Sequence, residues 1–500
     1  MVAPNVTSAD ERGLRGVSLD SRLRQIFFAM PPEKLAALAQ RVRDEATRRE
    51  LVYFRDGAQE TINVMLRPAG IFAEQLNYFH YVALTLVGAL KRMPELYLKD
   101  FNIREVVPLE EDEAKWLWDT WGASHNQFHT VFGRLDAIVN LTASIWKRTL
   151  KFIEPNLVGV GGIHLIPTAE GIIRDIIVPA LHESAPELDL ELSQDLRDLF
   201  ILELVDHAEA IGRKRGDKNP TICLIDPKYS GDGPNELETL THYYRAHGYD
   251  IYHADPVELV LRNNEIYYEG HLIDVAYRDY EVRDLAEMET AGENMRPIKH
   301  LFRQNQMVSS LAGDFDHKSC FEVFTDPRFD QYFSMDERAI FRQHVLWTRN
   351  LTARRTTDPH NQIIDLLEYA RKNREALVIK PNRSYGGENV LIGPSATDGE
   401  WEDAIERAVK EPGAWVTQEV ADITVYEFPV LGENGSVQAA PFYVVVGFAP
   451  TKYGVAVLGR ASQKQVVNVA QRGGMLAILV GRHTPRVLPP MYATKASGDK

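Results

Sequence analysis

The sequence predicts a mixed fold, α+β or α/β, spread over more than one lobe, and three observations carry that reading. Apolar residues recur at three- and four-residue intervals through most of the first 120 positions, the period of amphipathic helices. A strand, a helix and a second strand alternate after residue 220, as in sheets covered by helices. At 377–393 an apolar run ends on a lysine and a proline, passes through a glycine pair and returns as a second apolar run, which reads as strand, mobile loop and strand.

Five hundred residues exceed what one hydrophobic core usually serves, so two to four lobes are expected at about one per 100–200 residues. Composition shifts divide the chain into a helical segment at 1–125, a region of short strands at 126–212, an α/β unit at 213–297 and a long remainder at 298–500. A formal charge of −15 argues against general nucleic-acid binding, which needs a basic face, yet leaves room for a local basic pocket. Cys223 and Cys320 are the two cysteines of the chain and form no CxxC pair, so neither a disulfide framework nor a thiolate zinc site is expected. Residues 1–15 carry no apolar signal core, and the apolar stretch 81–90 is too short to cross a bilayer. A cytoplasmic protein is the expectation, with small-molecule partners, no nucleic acid and no membrane.

In the helical segment, 71–96 reads as one long helix, and His80, set among aromatics, reads as a core histidine. Phe132-Gly133-Arg134-Leu135-Asp136-Ala137-Ile138 alternates so that Arg134 and Asp136 share one strand face, and Leu150 to Asn156 does the same for Glu154 and Asn156. Two such strands side by side bring two carboxylates, an amide and a guanidinium to one point. That is either a Mg²⁺ site of hard oxygens beside a phosphate-binding arginine or two salt-bridged strand faces. Gly159-Val160-Gly161-Gly162 lacks the third glycine of a dinucleotide fingerprint, so a tight loop near the site is expected. Residues 179–211 read as helix and 213–220 as a linker.

The α/β unit follows, with strands at 221–226, 249–254 and 273–278, a helix at 236–247 and a hairpin at 266–272. Residues 298–370 read as helical. Within them, Gly313-Asp314-Phe315-Asp316-His317-Lys318 puts a lysine near a helix start, where the dipole favours anions; a bound phosphate reconciles the two, and an exposed lysine at a poor cap is the plain alternative. Lys380 closes the strand before the glycine pair. A buried strand ending on lysine calls for an anionic partner, whereas a surface hairpin would let it snorkel. Residues 401–409 read as helix, 414–420 as a strand broken by Gln418 and Glu419, and 441–447, 455–460 and 466–469 as strands before Arg472-Gly473-Gly474. A Walker A loop, HExxH, GxSxG and the deaminase zinc motif are all missing from the sequence.

This order of motifs resembles the circularly permuted ATP-grasp ligases, the glutathionylspermidine synthase-like group, with eukaryotic glutathione synthetase more distant, over roughly residue 132 to the C-terminus. The resemblance implies a circularly permuted ATP-grasp fold with a pre-ATP-grasp α/β domain at 213–297. It implies ATP and Mg²⁺ as cofactors, with Asp136, Glu154 and Asn156 as metal ligands and Arg134 and Arg460 as catalytic arginines on phosphate or substrate carboxylate. Lys318 and Lys380 would hold the nucleotide's phosphates, Tyr385, Gly386 and Gly387 the lid, and Gln418, Glu419 and Val420 the adenine hinge. Tyr385 and His164 are further candidates for the acceptor site. The implied activity is ADP-forming ligation of a carboxylate to an amine through an acyl phosphate. Relatives carry acids in the lid where Arg383 and Ser384 stand here, which motivates two alternatives: an ATP-binding protein with impaired catalysis, or a carboxylate kinase.

Overall fold

The computed structural model describes residues 18–55, 57–214, 216, 218–228, 235–384, 387, 389–431, 436–465, 467 and 473–482. Helix α1 (Leu19–Ala29) starts where the Ser18 hydroxyl accepts the Ser21 N–H, and α2 (Pro32–Arg48) begins on a proline whose missing donor costs nothing there. The first segment is not wholly helical. Strand β1 (Ala69–Phe72) precedes α3 (Ala73–Lys91), and Pro94 opens a separate short helix, Met93–Lys99. The expected single helix at 71–96 is therefore a strand and two helices. Ile71 is fully buried and pairs with Val480 of Ile478–Arg482 in a parallel ladder; tertiary pairing overrides its helical spacing. His80 is a satisfied histidine, its Nε2 2.8 Å from the Thr451 carbonyl oxygen.

Helix α4 (Glu111–Thr120) is followed by β2 (Arg134–Ile138) and β3 (Lys151–Asn156), the two strands expected. They pair antiparallel, with Arg134 opposite Asn156 and Asp136 opposite Glu154, and the register shifts between Asp136 and Ala137. Residues 179–211 are not one helix. Helix α5 (Leu165–Ser184) runs through Pro179, strand β4 (Asp189–Leu192) intervenes, and α6 (Leu196–Ala210) starts on an Asp195 cap.

The α/β unit forms as the alternation predicts. Strands β5 (Ile222–Ile225), β6 (Ile251–Ala254), β7 (Val275–Arg278) and β8 (Met307–Val308) make an all-parallel sheet in the order β8-β7-β5-β6, and α7 (Glu236–Ala246) crosses from β5 to β6. Cys223 lies in its core, and Cys320 is buried elsewhere. The stretch 298–370 is not purely helical: besides α8 (Cys320–Thr325) it holds β9 (Thr348–Asn350) and a two-stranded ladder. β10 (Leu377–Pro381) and β11 (Leu391–Ile392) flank the lid, α9 (Asp398–Lys410) follows, and with β9 and β12 (Trp415–Glu419) they form an antiparallel sheet ordered β9-β12-β10-β11.

The remaining strands, β13 (Val425–Leu431), β14 (Val437–Thr451), β15 (Gly454–Ser462) and β16 (Gly474–Leu476), join β2 and β3 in the order β16-β15-β14-β2-β3, with β13 on β14. β17 (Ile478–Arg482) sits between β1 and β4 in a three-stranded sheet, joining residues 478–482 to residues 69–72. Of the strand expected at 466–469, and of Arg472, all but Val467 lie outside the described residues.

Phe448 of β14 is fully buried between Phe79 of α3 and Phe152 of β3, with ring centroids 5.1 and 6.0 Å away, so it joins the helical segment to the six-stranded sheet. Phe448→Ala is expected to lower unfolding stability by about 3–5 kcal/mol, the range for a buried aromatic truncation that leaves a cavity. Denaturant unfolding monitored by circular dichroism measures it, and a change within error would show that this contact does not hold the two layers together.

Candidate functional site

The six-stranded sheet and the sheet of β9–β12 face each other across a cleft of about 130 Å³. Its walls are apolar, from Ile138, Ile153, Leu346, Val378, Ile392, Val420, Ile423 and Val445. At one end stand Asp136, Glu154, Lys380, Gln418 and Arg460, with Gly387 at the lid side. Alternation explains the placement: Lys380 and Val378 share a face of β10, while Ile379, on the other, is fully buried in the core behind the sheet.

Asp136 is the centre of the polar end. Arg460 Nη2 lies 2.5 Å from its Oδ2, Arg134 Nε donates to its Oδ1 at 3.0 Å, and Asn156 Nδ2 donates to Oδ2 at 3.3 Å. Burial alone would raise this carboxyl, but Arg134 and Arg460 hold it below the usual carboxylate range. Gly447 of β14 is opposite Asp136, and a Cβ there would come within 2.8 Å of Arg134 Cδ and 3.0 Å of Asp136 Oδ1; only glycine leaves room for the pair over the strand. Arg134 also donates through Nη1 to the Gly161 carbonyl at 2.7 Å, so the glycine loop after β3 does lie beside the site.

Lys380 is buried and donates to the Ile153 carbonyl and to Gln418 Oε1, both at 2.9 Å. Burial pushes its ammonium down to about 7, with the Glu154 charge opposing the fall and Lys318 adding to it. Lys318 Nζ lies 3.4 Å from Glu154 Oε2 and donates to the Ser384 carbonyl at 2.9 Å. Lys318 follows a 3₁₀ turn, Leu311–Phe315, and lies two residues before α8, near a helix start as its sequence suggests. Its segment is clipped to the lid root, since Lys318 N–H donates to the Asn382 carbonyl and Ser319 N–H to Asn382 Oδ1.

Gln418 Nε2 donates to Thr348 Oγ1 at 2.8 Å, and the Glu419 carboxylate accepts the Trp347 N–H at 2.9 Å. Val420 N–H bonds the Ala376 carbonyl at 2.9 Å, which leaves its side chain on the cleft wall. Gly387 adopts φ +73°, a left-handed conformation suited to glycine. Tyr385 and Gly386 lie outside the described residues. His164 does not line this cleft; it faces a second cavity.

Arg134, Asp136, Glu154, Asn156, Lys318, Lys380, Gln418 and Arg460 are thus brought together from six separated stretches of chain. Asp136, Glu154 and Asn156 offer hard oxygens, but Asp136 is engaged by two arginines and Glu154 by Lys318. Among the described residues no group of three or more His, Cys, Asp or Glu side chains converges as a metal site.

Sequence reasoning missed what fixes the lid root. Arg383 is not a vacancy in the lid: its guanidinium makes a fork to Glu113 of α4 at 2.6 and 2.7 Å and reaches Glu281 Oε2 at 2.9 Å. It missed as well that the acids of the 313–318 motif are braces. Asp314 pairs with Arg278 at 2.5 Å, and Asp316 Oδ2 accepts the Leu157 N–H at 3.1 Å, beside Asn156. No spacing rule links residues so far apart in the chain.

No protein-family model matches the chain, and no curated protein matches it. Among solved structures it is similar to a glutathione synthetase-like effector (GSS30) from Globodera pallida in its apo form, with a TM-score of 0.58 and 12% identity over 90% of this chain and 97% of that one. The two share a fold. A second structure, provisionally assigned as a gamma-glutamylcysteine synthetase from Methylobacillus flagellatus KT, has a TM-score of 0.37 at 11% identity over 79% of this chain and 88% of that one, too low to carry an argument.

Arg383→Met is expected to destabilise the fold by roughly 3–5 kcal/mol, because it takes from the buried Glu113 carboxylate its only ion-pair partner among the described residues and leaves Glu281 with Arg283 alone. The triple variant Arg383→Met, Glu113→Gln, Glu281→Gln should recover most of the loss. Equal stability of the single and triple variants in denaturant titrations would show that the ion pairs do not set the lid root.

Proposed function

We propose that this protein is a nucleotide-dependent ligase of the ATP-grasp type, joining a carboxylate to an amine with release of ADP. The observation that carries the reading is that Arg460, Lys380, Asp136 and Glu154 line an apolar cleft between two antiparallel sheets, with Arg134 paired to Asp136 and Lys318 to Glu154. A planar base suits the apolar walls, and a polyphosphate suits the cationic end. The shared fold with a glutathione synthetase-like effector supports the same reading.

In this reading Lys318 and Lys380 bind phosphate oxygens, and the Asn382 clip keeps their segments in register. Gln418 orients Lys380, and the Glu419–Val420 backbone meets the base edge. Arg134 and Arg460, already beside Asp136, stabilise charge on the transferring group. The glycine lid excludes water from the reactive acyl group. The oxygen donors fit a divalent ion that arrives on the phosphates, for which one or two carboxylates suffice, rather than a resident one; Asp136, Glu154 and Asn156 would hold it. When bound, that ion screens the repulsion between phosphate and attacking carboxylate.

A second reading keeps nucleotide binding without ligation. It is favoured by the fixed Arg383, with Ser384 beside it, in a lid where relatives place acids. An ADP-release assay on pooled carboxylates and amines separates the two: carboxylate- and amine-dependent ADP supports the ligase, and saturable ATP binding without it supports the second reading. A phosphorylated product that accumulates without amine would mark a carboxylate kinase.

Lys380→Met is expected to reduce turnover by at least on the order of 10²-fold; near-normal rates would sink the assignment. Because the buried ammonium titrates at about 7 in the free protein and phosphates favour its charged form, nucleotide binding above that pH should take up a proton. Affinity should then fall as pH rises through about 7. Calorimetry in buffers of different ionisation enthalpy reads the uptake. Lys380→Arg, always charged, should lack it, while titration of the nucleotide itself is common to both proteins.

A further inference from the structure

A second cavity, of about 580 Å³, lies between α5, β4 and the start of α6 and shares no lining residue with the cleft. Its walls carry Arg49, Arg174, Arg197, Glu170, Glu191 and His164. The guanidiniums are already matched. Arg49 contacts Glu45 at 2.7 Å and Asp175 at 2.8 Å, Arg174 contacts Asp175 at 2.9 Å, and Arg197 contacts Asp195 at 2.6 Å. Glu191 is matched by Arg482 at 2.6 Å.

Glu170 is different. It is 3% exposed, and its Oε1 is buried with no hydrogen-bond partner among the described residues. His164 Nδ1 is buried and unpartnered as well. Burial, assisted by the Asp195 charge, pushes the Glu170 carboxyl well above the usual carboxylate range, and burial with Arg197 lowers the His164 ring to about 4, so the ring is neutral. A buried polar atom without a partner costs free energy that a bound donor recovers.

We propose that this cavity binds a small aliphatic primary amine, with its ammonium on the Glu170 carboxylate. An anion would meet arginines that are already paired with carboxylates. An apolar guest would leave Glu170 and His164 as they are. An ammonium brings three donors, enough for Glu170 Oε1 and, in the tautomer protonated at Nε2, for His164 Nδ1. The volume falls within the range of small-ligand sites, about 300–1,000 Å³. The proposal stands apart from the nucleotide reading, since its residues take no part in the cleft.

Calorimetry on the full chain, without nucleotide, tests it with primary amines from ethylamine to hexylamine and the matching alcohols. Saturable binding of at least one amine and of none of the alcohols is expected. Glu170→Gln should weaken that binding by roughly tenfold or more, as for loss of a buried charged hydrogen bond. Glu191→Gln should leave it unchanged. Val178→Trp, which fills the cavity from its wall and keeps Glu170, should abolish binding and serves if Glu170→Gln does not fold. No binding by any amine, equal binding of amines and alcohols, or wild-type affinity in either of Glu170→Gln and Val178→Trp overturns the proposal.

Discussion

The buried Asp136 carboxylate constrains everything around the cleft. An anion that is 1% exposed persists only with donors on it, and here they come from three strands: Arg134 on its own strand, Asn156 on β3 and Arg460 on β15. The pairing of β2 with β14 on one side and β3 on the other, the register shift at Ala137 and the glycine at 447 all serve that requirement. The charges that neutralise Asp136 also leave the cleft end rich in cations.

The two lysines face a related problem, because each must stay close to the other without water to screen them. Glu154 lies beside Lys318 and favours the charged form of Lys380. Their chain segments are joined by Asn382, whose backbone and side chain both accept from the 318–319 backbone. Arg383, the next residue, then anchors this junction to α4 and to Glu281. A residue that reads as a departure from a pattern when seen in sequence is a brace in three dimensions, and the braces Asp314 and Asp316 do the same for the other lysine. The chain at 382–383 is therefore held on both sides, by Asn382 to the 318–319 backbone and by Arg383 to Glu113 and Glu281.

The two cavities differ in how their charge is settled. In the cleft, Arg460 and Lys380 stand in the lining beside Asp136 and Glu154, with Arg134 and Lys318 behind those acids. In the cavity beside α5, the arginines and acids cancel and one carboxyl is left over, which suits a cation. The glycine loop between β3 and α5 separates the two chemistries. It is held by Arg134 on the Gly161 carbonyl, and the Glu236 carboxylate receives the N–H groups of Gly162, His164 and Leu165 at 2.7, 2.5 and 3.0 Å, the usual way to satisfy a helix start.

How much of this was legible in the sequence follows from the range of the forces involved. Period-two alternation in β2 and β3 set Arg134 and Asp136, and then Glu154 and Asn156, on common faces, because side-chain direction in a strand is a local property. The parallel α/β unit was legible for the same reason, and so was Lys380 at the end of a buried strand. Local periodicity failed at Ile71, where a strand from the far end of the chain supplied the pairing, and at 179–211, where Pro179 stayed within a helix. What only tertiary structure decided is the charge pairing: Arg383 with Glu113 and Glu281, Arg278 with Asp314, Arg460 with Asp136, and the burial of Glu170 with its Oε1 unbonded. Ion pairs act through space between residues from 36 to more than 300 positions apart, and no spacing along the chain encodes which partner a buried charge will meet.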